Sequence, residues 1–376
     1  MDKNHSDSIR FNYITFDQIG KIKELHPLVY ENYLDENQKF TKFDYLESCP
    51  DIRNNFPCFF YLTDQDKIIS TLSALPDEIH ASGEIFSWAW AGALFTDPYY
   101  RGKGLATLLI KNMVKVLHKR NIGWGGVFST LEAIHIYRKL NFVIPGYANR
   151  YLLLKTAAPL GNIVKNKMFI SVLDIPYRIT LRIILKLINR PLPPNKFNIA
   201  VRKVDIANED LSGIPRPYYH TPYHFNDNFD KIKWKILTTS DTVLYFIISK
   251  STNKYLCYFV LKDRNRKTKD PFSDRFFNVK LMTLMDYGVY NNDINTYEAL
   301  VSAVFSLFWD GDAEALEVIS SSKILNKILK RNGMVKVFKG MSFKFCAPQS
   351  WKVNQSAAVV SNWPLTHFNG DGFMFR

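Results

Sequence analysis

The sequence predicts a mixed α/β (α+β) protein of two tandem modules, each with a central mixed β-sheet flanked by helices. Three observations favour this fold class. At 376 residues the chain exceeds the usual length of one domain. Segments with the two-residue period of strands alternate with segments that have the helical period of 3.6 residues. The same order of elements also occurs twice, offset by roughly 192 residues.

The periodicity predicts the following elements of the first half, in order: a helical segment over 17–47, strands over 58–62, 67–74 and 84–95, an amphipathic helix over 105–121, a strand over 125–129, a helix over 131–140, and strands near Val143 and over 151–155. The second half repeats this order: a hairpin of strands over 243–249 and 255–262, a strand over 277–285, a helix over 296–308, a strand over 315–319, a helix over 323–330, and paired strands over 335–338 and 342–345.

These elements divide the chain into a catalytic module over 1–156, a basic linker over 157–199 and a second module over 200–376. Three prolines within Pro191–Pro194 mark the end of the linker, since they cannot continue a helix. Residues 162–190 alternate basic and apolar side chains, which is typical of a helix that lies on an anionic membrane surface. Packing of the apolar stripe against both modules explains the same pattern.

Composition narrows the class of partner and compartment. The formal net charge of +14 favours an anionic partner such as a phosphorylated co-substrate, nucleic acid or a membrane surface. The basic residues are dispersed and match no nucleic-acid-reading motif, so we expect no nucleic-acid partner. Four scattered cysteines and a polar N-terminus without an apolar stretch favour a cytoplasmic protein, with contact at the inner membrane surface through residues 162–190.

The segment after the third strand has the features of an anion-binding loop. It contains Gly102 and Gly104 and leads directly into a long helix, so several backbone N–H groups converge at a helix N-terminus. Glycines let these donors approach phosphate oxygens closely, and Arg101 and Lys103 add positive charge. The spacing is neither that of a Walker loop nor that of a Rossmann fingerprint, because Thr107 stands at the third glycine position.

The segment Arg101-Gly-Lys-Gly-Leu-Ala106 resembles the acyl-CoA loop of the GNAT superfamily of N-acyltransferases, whose pattern is Gln/Arg-x-x-Gly-x-Gly/Ala. A second resemblance covers Ala133 to Phe142, with Tyr137 on a helix before a Gly-Phe pair that reads Asn141-Phe142 here. Asn141 replaces the usual glycine, and Asn tolerates a left-handed backbone. Thr130 stands where the family often has an asparagine that faces the pantetheine.

This resemblance implies an acetyl-CoA or other acyl-CoA co-substrate and no metal. Backbone N–H groups of Leu94 and Phe95 would bind the thioester carbonyl, and Tyr137 would protonate the leaving thiolate. A core role for Tyr137 is the alternative. The implied acyl-CoA residues are Leu94, Phe95, Thr96, Arg101, Gly102, Lys103, Gly104, Leu105, Ala106, Thr107 and Thr130.

The general base is not evident from the sequence. The third strand has no ionisable side chain where many relatives carry one, and Glu84, Glu132 and His135 are the nearest candidates. A water chain to the bulk serves equally well. Trp88 and Trp90 share one face of this strand and are interpreted as core residues, with an aromatic wall for a sugar as the alternative.

The second module lacks the loop. Asp293 and Glu298 occupy the positions of Arg101 and Ala106, and carboxylates there would repel a pyrophosphate. The arrangement resembles two-domain bacterial GNAT proteins of surface-polysaccharide synthesis, which implies that the second module shapes the acceptor site. His220 and His224 have the spacing of metal ligands, but the proline between them favours a surface loop.

The predicted function is therefore acyl transfer, most simply acetyl transfer, to a primary amine such as an amino sugar on a nucleotide or lipid carrier. A hydroxyl acceptor would use the same oxyanion site. A non-catalytic acyl-CoA-binding or scaffolding protein that retains the GNAT fold is the alternative hypothesis.

Overall fold

The computed structural model describes residues 8–21, 49–50, 55–81, 83–127, 131–155, 197–214, 217, 221–225, 228–239, 241–269, 276–351, 355–366 and 369. Its strands are β1 (Ile9–Thr15), β2 (Pro57–Asp64), β3 (Lys67–Ala81), β4 (Glu84–Thr96), β5 (Gly123–Val127), β6 (Val143–Leu154), β7 (Ile199–Lys203), β8 (Tyr223–Phe225), β9 (Thr242–Ser249), β10 (Tyr255–Lys269), β11 (Phe276–Val289), β12 (Ala315–Ser320) and β13 (Val335–Cys346). Its helices are α1 (Leu105–Lys119), α2 (Leu131–Lys139), α3 (Phe229–Leu237), α4 (Ile294–Asp310) and α5 (Lys323–Arg331).

The described strands form one continuous mixed sheet in the order β1-β2-β3-β4-β5-β13-β6-β12-β11-β10-β9-β7, with β8 paired to β3. This confirms the predicted fold class of a mixed sheet flanked by helices. The two halves share the sheet. Most of the first predicted helix, the segment 162–190, Thr130 and His220 lie outside the described residues.

The last strand of each half is exchanged with the other half. β13 pairs with β5 of the first half, β6 pairs with β12 of the second, and β6 and β13 pair with each other at the centre. β6 begins at residue 143 and β13 at 335, which are 192 residues apart. The predicted offset thus describes the order of elements, while a common origin of the halves and the boundary at residue 156 remain predictions.

Each exchanged strand was predicted as two short strands, and this prediction was wrong. Both β6 and β13 are single strands of 12 residues. The segment near Gly340 is an irregularity in the register between Val337 and Met341, and a hairpin turn is absent there. Gly146, with a φ of 130°, lies within β6. Strands that bend this way can pair with different neighbours along their length.

The amphipathic pattern of α1 places its apolar residues against the sheet. Leu105, Leu109, Ile110, Met113 and Leu117 are buried, whereas Leu108 is 39% exposed. Trp88 and Trp90 are at most 1% exposed, which confirms their interpretation as core residues. Within the part of the chain that is described, no helix is long and apolar enough to cross a membrane.

A buried ion pair connects the two halves. The ammonium of Lys231 on α3 contacts the Asp77 carboxylate on β3, and each side chain is 2% exposed. Asp77 also accepts a hydrogen bond of 2.6 Å from the Trp90 indole and one of 2.7 Å from the Glu78 backbone. The carboxylate therefore has several donors, which offset the cost of burying its charge.

We predict that Lys231→Met lowers the free energy of unfolding by about 3–5 kcal/mol, because it leaves a buried carboxylate without its cation. Urea denaturation at pH 7 measures this loss. Lys280→Met is the matched control, since its ion pair with Asp312 is largely exposed and such pairs contribute little. Equal losses in the two variants would contradict a stabilising role for the buried pair.

Candidate active site

The strands β4 and β5 separate at the end of β4. They pair in parallel only from Trp88 opposite Gly123 to Trp90 opposite Gly125. β4 nevertheless continues to Thr96. The side of β4 that would face β5 is therefore unpaired beyond this point, which opens a cleft between two parallel strands.

A β-bulge lies in β4 beside this cleft. Ser73 of β3 is opposite Gly92 and Thr71 is opposite Phe95, so β4 contains one extra residue between these pairs. Bulges commonly occur next to active sites, where they redirect backbone groups. Leu94 and Phe95, the predicted thioester-binding residues, lie in this segment, and their roles remain predictions.

Asp97 holds the turn that follows β4. Its carboxylate accepts a hydrogen bond of 2.9 Å from the Tyr99 backbone N–H and lies 2.8 Å from the Lys67 ammonium. Burial opposes ionisation of Asp97, but the bonds from Lys67 and Tyr99 outweigh it and lower its pKa below the ordinary value. The turn is thereby fixed directly before the glycine loop.

The loop itself requires glycine at two positions. Gly102 has a φ of 77° and Gly104 a φ of 79°, in the left-handed region that disfavours side chains. Gly104 is the N-cap of α1 and provides no side-chain acceptor. The first intrahelical bond runs from Leu108 N–H to Gly104 C=O. The N–H groups of residues 105–107 therefore have no intrahelical acceptor and can bind an anion.

Basic side chains surround this helix N-terminus. Arg101, Gly102, Lys103 and Gly104 are all exposed. The Lys103 ammonium lies 4.8 Å from the ring centroid of Tyr100, whose hydroxyl donates to Asp64 at 3.1 Å. Arg101 donates from Nε to the Thr96 carbonyl at 3.1 Å. The predicted anion-binding residues thus form one solvent-facing site with a positive helix dipole.

The N-terminus of α4 in the second half is closed by its own side chain. Asp293 is the N-cap of α4, and its carboxylate accepts from the Thr296 backbone N–H at 2.8 Å and from the Thr296 hydroxyl at 2.9 Å. A carboxylate therefore occupies the place that an anionic ligand would need. The two halves therefore differ at this helix N-terminus, which is open in α1 and capped in α4.

Tyr137 lies on the helix-covered face of β5. It is 3% exposed, and its ring packs against Trp124 of β5 at 5.3 Å and Phe142 at 5.2 Å between centroids. Asn141 has a φ of 58° and occupies the position where the GNAT superfamily usually has glycine. The expected left-handed backbone at the end of α2 is therefore present.

The other candidate residues of the first half do not join Tyr137. His135 is on the exposed side of α2, and Glu84 is exposed at the start of β4, away from the cleft. Glu132 lies in α2, and the side-chain surroundings of Glu132 and the position of Thr130 are outside what the structure describes. No general base is identified among the described candidates.

Sequence reasoning missed Lys344 of β13. It is opposite Gly126 of β5, is 1% exposed, and its ammonium lies 4.8 Å from the Tyr137 ring centroid. In the segment Phe343-Lys344-Phe345 the alternation indicates a solvent-facing lysine. Knowledge of the strand exchange would have identified Lys344, because the exchange places this face of β13 under α2.

A separate cavity of about 330 Å³ lies on the opposite, aromatic face of β4. Phe86, Trp88, Tyr223, Trp351 and Trp363 contribute most of its aromatic wall. These residues come from both halves of the chain. The cavity offers an apolar volume beside the strand that carries the bulge.

Of the two histidines with metal-ligand spacing, His224 is described and lies in strand β8. His220 is outside the described residues, and His224 stacks on His80 of β3 with 4.8 Å between ring centroids. Burial, and then the neighbouring His80, lowers the pKa of His224 to about 4. Among the residues that the structure describes, no group of three or more metal-binding side chains occurs.

Residues 55–144 match the family profile of the acetyltransferase (GNAT) domain. A glycylpeptide N-tetradecanoyltransferase from Dictyostelium discoideum is 24% identical over 116 residues, which cover 29% of this chain and 28% of that protein. The chain thus aligns with less than a third of this relative. The sequence-based assignment of a GNAT domain is confirmed.

Solved structures resemble most of the chain. The fold is similar to Saccharomyces cerevisiae N-myristoyltransferase with bound myristoyl-CoA, with a TM-score of 0.57, 12% identity, and coverage of 95% of this chain and 89% of that chain. It is also similar to an Enterococcus faecalis protein described as a probable N-acyltransferase, with a TM-score of 0.54, 12% identity, and coverage of 89% and 71%. These similarities establish the fold.

We predict that Asp97 stabilises the protein at neutral pH and ceases to do so in acid. Because its pKa is lowered on folding, this stabilisation is present above about pH 4, the ordinary range of the carboxyl, and is lost as the pH falls through the folded value. Asp97→Asn should therefore melt below the wild type at pH 7, and the gap should narrow towards about pH 3. A gap that stays constant over this range would contradict the prediction.

Proposed function

We propose that this chain, which carries a GNAT domain, is an acyl-CoA-dependent N-acyltransferase that moves an acyl group to a primary amine. The observation that carries the proposal is the open, glycine-capped N-terminus of α1 beside the cleft between β4 and β5. The N–H groups and the surrounding cations suit a pyrophosphate, and the cleft provides room for an extended arm. The closed N-terminus of α4 limits this role to the first half.

The proposed reaction uses backbone groups and one phenol. The neutral amine attacks the thioester carbonyl carbon, and the negative charge that develops on oxygen is stabilised by the N–H groups of Leu94 and Phe95. The C–S bond then breaks, and the sulfur takes the proton of the Tyr137 hydroxyl. The proton lost by the amine nitrogen returns to Tyr137, so the products are an amide and a thiol.

A water chain is proposed to carry the amine proton to the Tyr137 phenolate, with Glu132 and His135 as the side-chain candidates for this transfer. His135 faces solvent on α2, which suits the outer end of such a chain. An amine that arrives neutral requires only removal of one proton after attack. This step does not need a strong base in the cleft.

The acyl group has two candidate lengths. An acetyl group is the simplest expectation for the GNAT loop. A long-chain group is the second candidate, because the chain is similar to a glycylpeptide N-tetradecanoyltransferase and to a structure with bound myristoyl-CoA. The aromatic cavity of about 330 Å³ beside β4 favours this second candidate, because it offers an apolar volume.

The acceptor is proposed to be a small-molecule amine, such as an amino sugar on a nucleotide or lipid carrier, bound against the second half. Location in the cytoplasm, with membrane contact through residues 162–190, belongs to the same proposal. The alternative is an acyl-CoA-binding or scaffolding protein without turnover. Release of free thiol on adding an amine distinguishes the enzyme from this alternative.

We predict that Gly104→Glu weakens acyl-CoA binding by more than about tenfold, because it places a carboxylate at the phosphate-binding helix N-terminus. Calorimetric titrations with acetyl-CoA and myristoyl-CoA measure the effect and compare the two acyl lengths. Gly83→Glu is the matched control, since Gly83 also has a left-handed φ, 84°, and open space around it. Unchanged affinity in Gly104→Glu would contradict the proposed cradle.

We predict that Tyr137→Phe lowers kcat by about 10²-fold and leaves the KM for acyl-CoA nearly unchanged, because the sulfur then lacks its proton donor. Steady-state thiol release measures both constants. Tyr151→Phe is the control, since Tyr151 is a fully buried tyrosine on β6, packed in the core of the second half. Full activity of Tyr137→Phe would remove Tyr137 from the mechanism.

A further inference from the structure

We infer that Lys344 is a positioning residue for acyl transfer, whose ammonium stabilises the phenolate that Tyr137 becomes after giving its proton to the leaving sulfur. The inference rests on the proposed function and adds a residue of the second half to the reaction. It makes the exchanged strand β13 part of the catalytic module. The observations that carry it are the location of Lys344, the mainly neutral titratable groups at the end of β13 and the chemistry of the phenol.

Strand pairing directs Lys344 towards Tyr137. Lys344 is opposite Gly126 of β5, so both residues face the side of the sheet on which Trp124 packs against Tyr137. A Cβ at Gly126 would lie 2.7 Å from the Lys344 Cε and 3.3 Å from its Nζ. The lysine side chain therefore crosses β5 over Gly126, where a larger residue would block it.

The ammonium of Lys344 lies over the ring of Tyr137. Its Nζ is 4.8 Å from the ring centroid, within the distance of a cation–π interaction, and the side chain is 1% exposed. The negative charge of a phenolate spreads into its ring. A cation in this place therefore attracts the phenolate more strongly than the phenol, and burial strengthens this difference.

Among the described residues, the titratable groups at the C-terminal end of β13 are mainly uncharged at pH 7. Burial lowers the pKa of His118 on α1, against an opposing hydrogen bond to the backbone of Cys346. Burial raises the pKa of the Cys346 thiol on β13 to about 11. Both groups are therefore mainly neutral at pH 7, while His135 and Arg138 of α2 lie on its exposed side.

Among the described residues, the equivalent positions at β12 and α5 carry no such pair of lysine and phenol. β6 places Tyr151 opposite Val318 of β12, and α5 carries Leu329 at the position aligned with Tyr137. These residues belong to one buried apolar cluster. The lysine and the phenol thus meet at β5, in the half whose helix N-terminus is open, although Lys344 comes from the second half.

The step balances without a further reactant. Collapse of the tetrahedral intermediate breaks the C–S bond, the sulfur takes the phenol proton, and the electron pair of the O–H bond remains on Tyr137 as a phenolate. The amine proton then passes to the phenolate and restores the phenol. Lys344 keeps its protons throughout and contributes its charge to the intermediate state.

A double-mutant cycle tests the inference in the full chain. Lys344→Met should lower kcat about tenfold with the KM for acyl-CoA unchanged, and Lys344→Arg should stay within about threefold of the wild type. In a Tyr137→Phe background, Lys344→Met should change kcat by less than about twofold. An equal loss in both backgrounds would show that Lys344 acts independently of Tyr137 and would overturn the inference.

Spectrophotometric titration provides a measurement that needs no turnover. Subtracting the titration of Tyr137→Phe isolates the tyrosinate absorbance of Tyr137, and the subtraction is made once with Lys344 in place and once in a Lys344→Met background. Lys344→Gln serves as the neutral variant where Lys344→Met does not fold. Removal of the ammonium should raise the titration midpoint by about one pH unit. An unchanged midpoint would overturn the inference.

The titration also separates this inference from the function on which it rests. A wild type that binds no acyl-CoA and acylates no amine would contradict the proposed function. The titration midpoint would still decide whether the ammonium of Lys344 is coupled to the phenol of Tyr137, because it is measured without substrate.

Discussion

The exchange of β6 and β13 at the centre of the sheet is the constraint on which the rest of the structure depends. Each half lacks the last strand of its own sheet and receives it from the other half. Neither half can therefore complete its sheet without the other. The buried pair of Asp77 and Lys231 adds a second connection, between β3 and α3. The shared sheet brings a residue near the chain's C-terminal end, Lys344, beside the helix that carries Tyr137.

The two halves have similar frameworks but different helix N-termini. α1 starts at a left-handed glycine with its first N–H groups open, whereas α4 starts at Asp293, whose carboxylate occupies the same kind of position. A single acceptor group at an N-cap satisfies the donors that a phosphate would otherwise bind. The N-terminus of α1 is therefore suited to bind an anion, whereas the N-terminus of α4 is already capped.

The sequence predicted features that depend on local chemistry. The glycines at 102 and 104 and the helix after them follow from a turn that needs residues with a left-handed backbone. At the end of α2, Asn141 adopts the left-handed backbone that was expected there, although it is not a glycine. The strand exchange was not predictable in this way, because alternation within β6 and β13 is the same whichever neighbours they pair with. The lysine at 344 was overlooked for this reason, since its burial depends on a helix far away in sequence.

Amide hydrogen exchange with and without CoA tests whether the co-substrate binds at the N-terminus of α1. We expect CoA to slow exchange at residues 105–107 and in the bulge at Leu94 and Phe95. We expect no change at the first turn of α4, where Asp293 already accepts a hydrogen bond from the Thr296 amide. Slower exchange at α4, or no change at residues 105–107 under saturating CoA, would contradict this binding site.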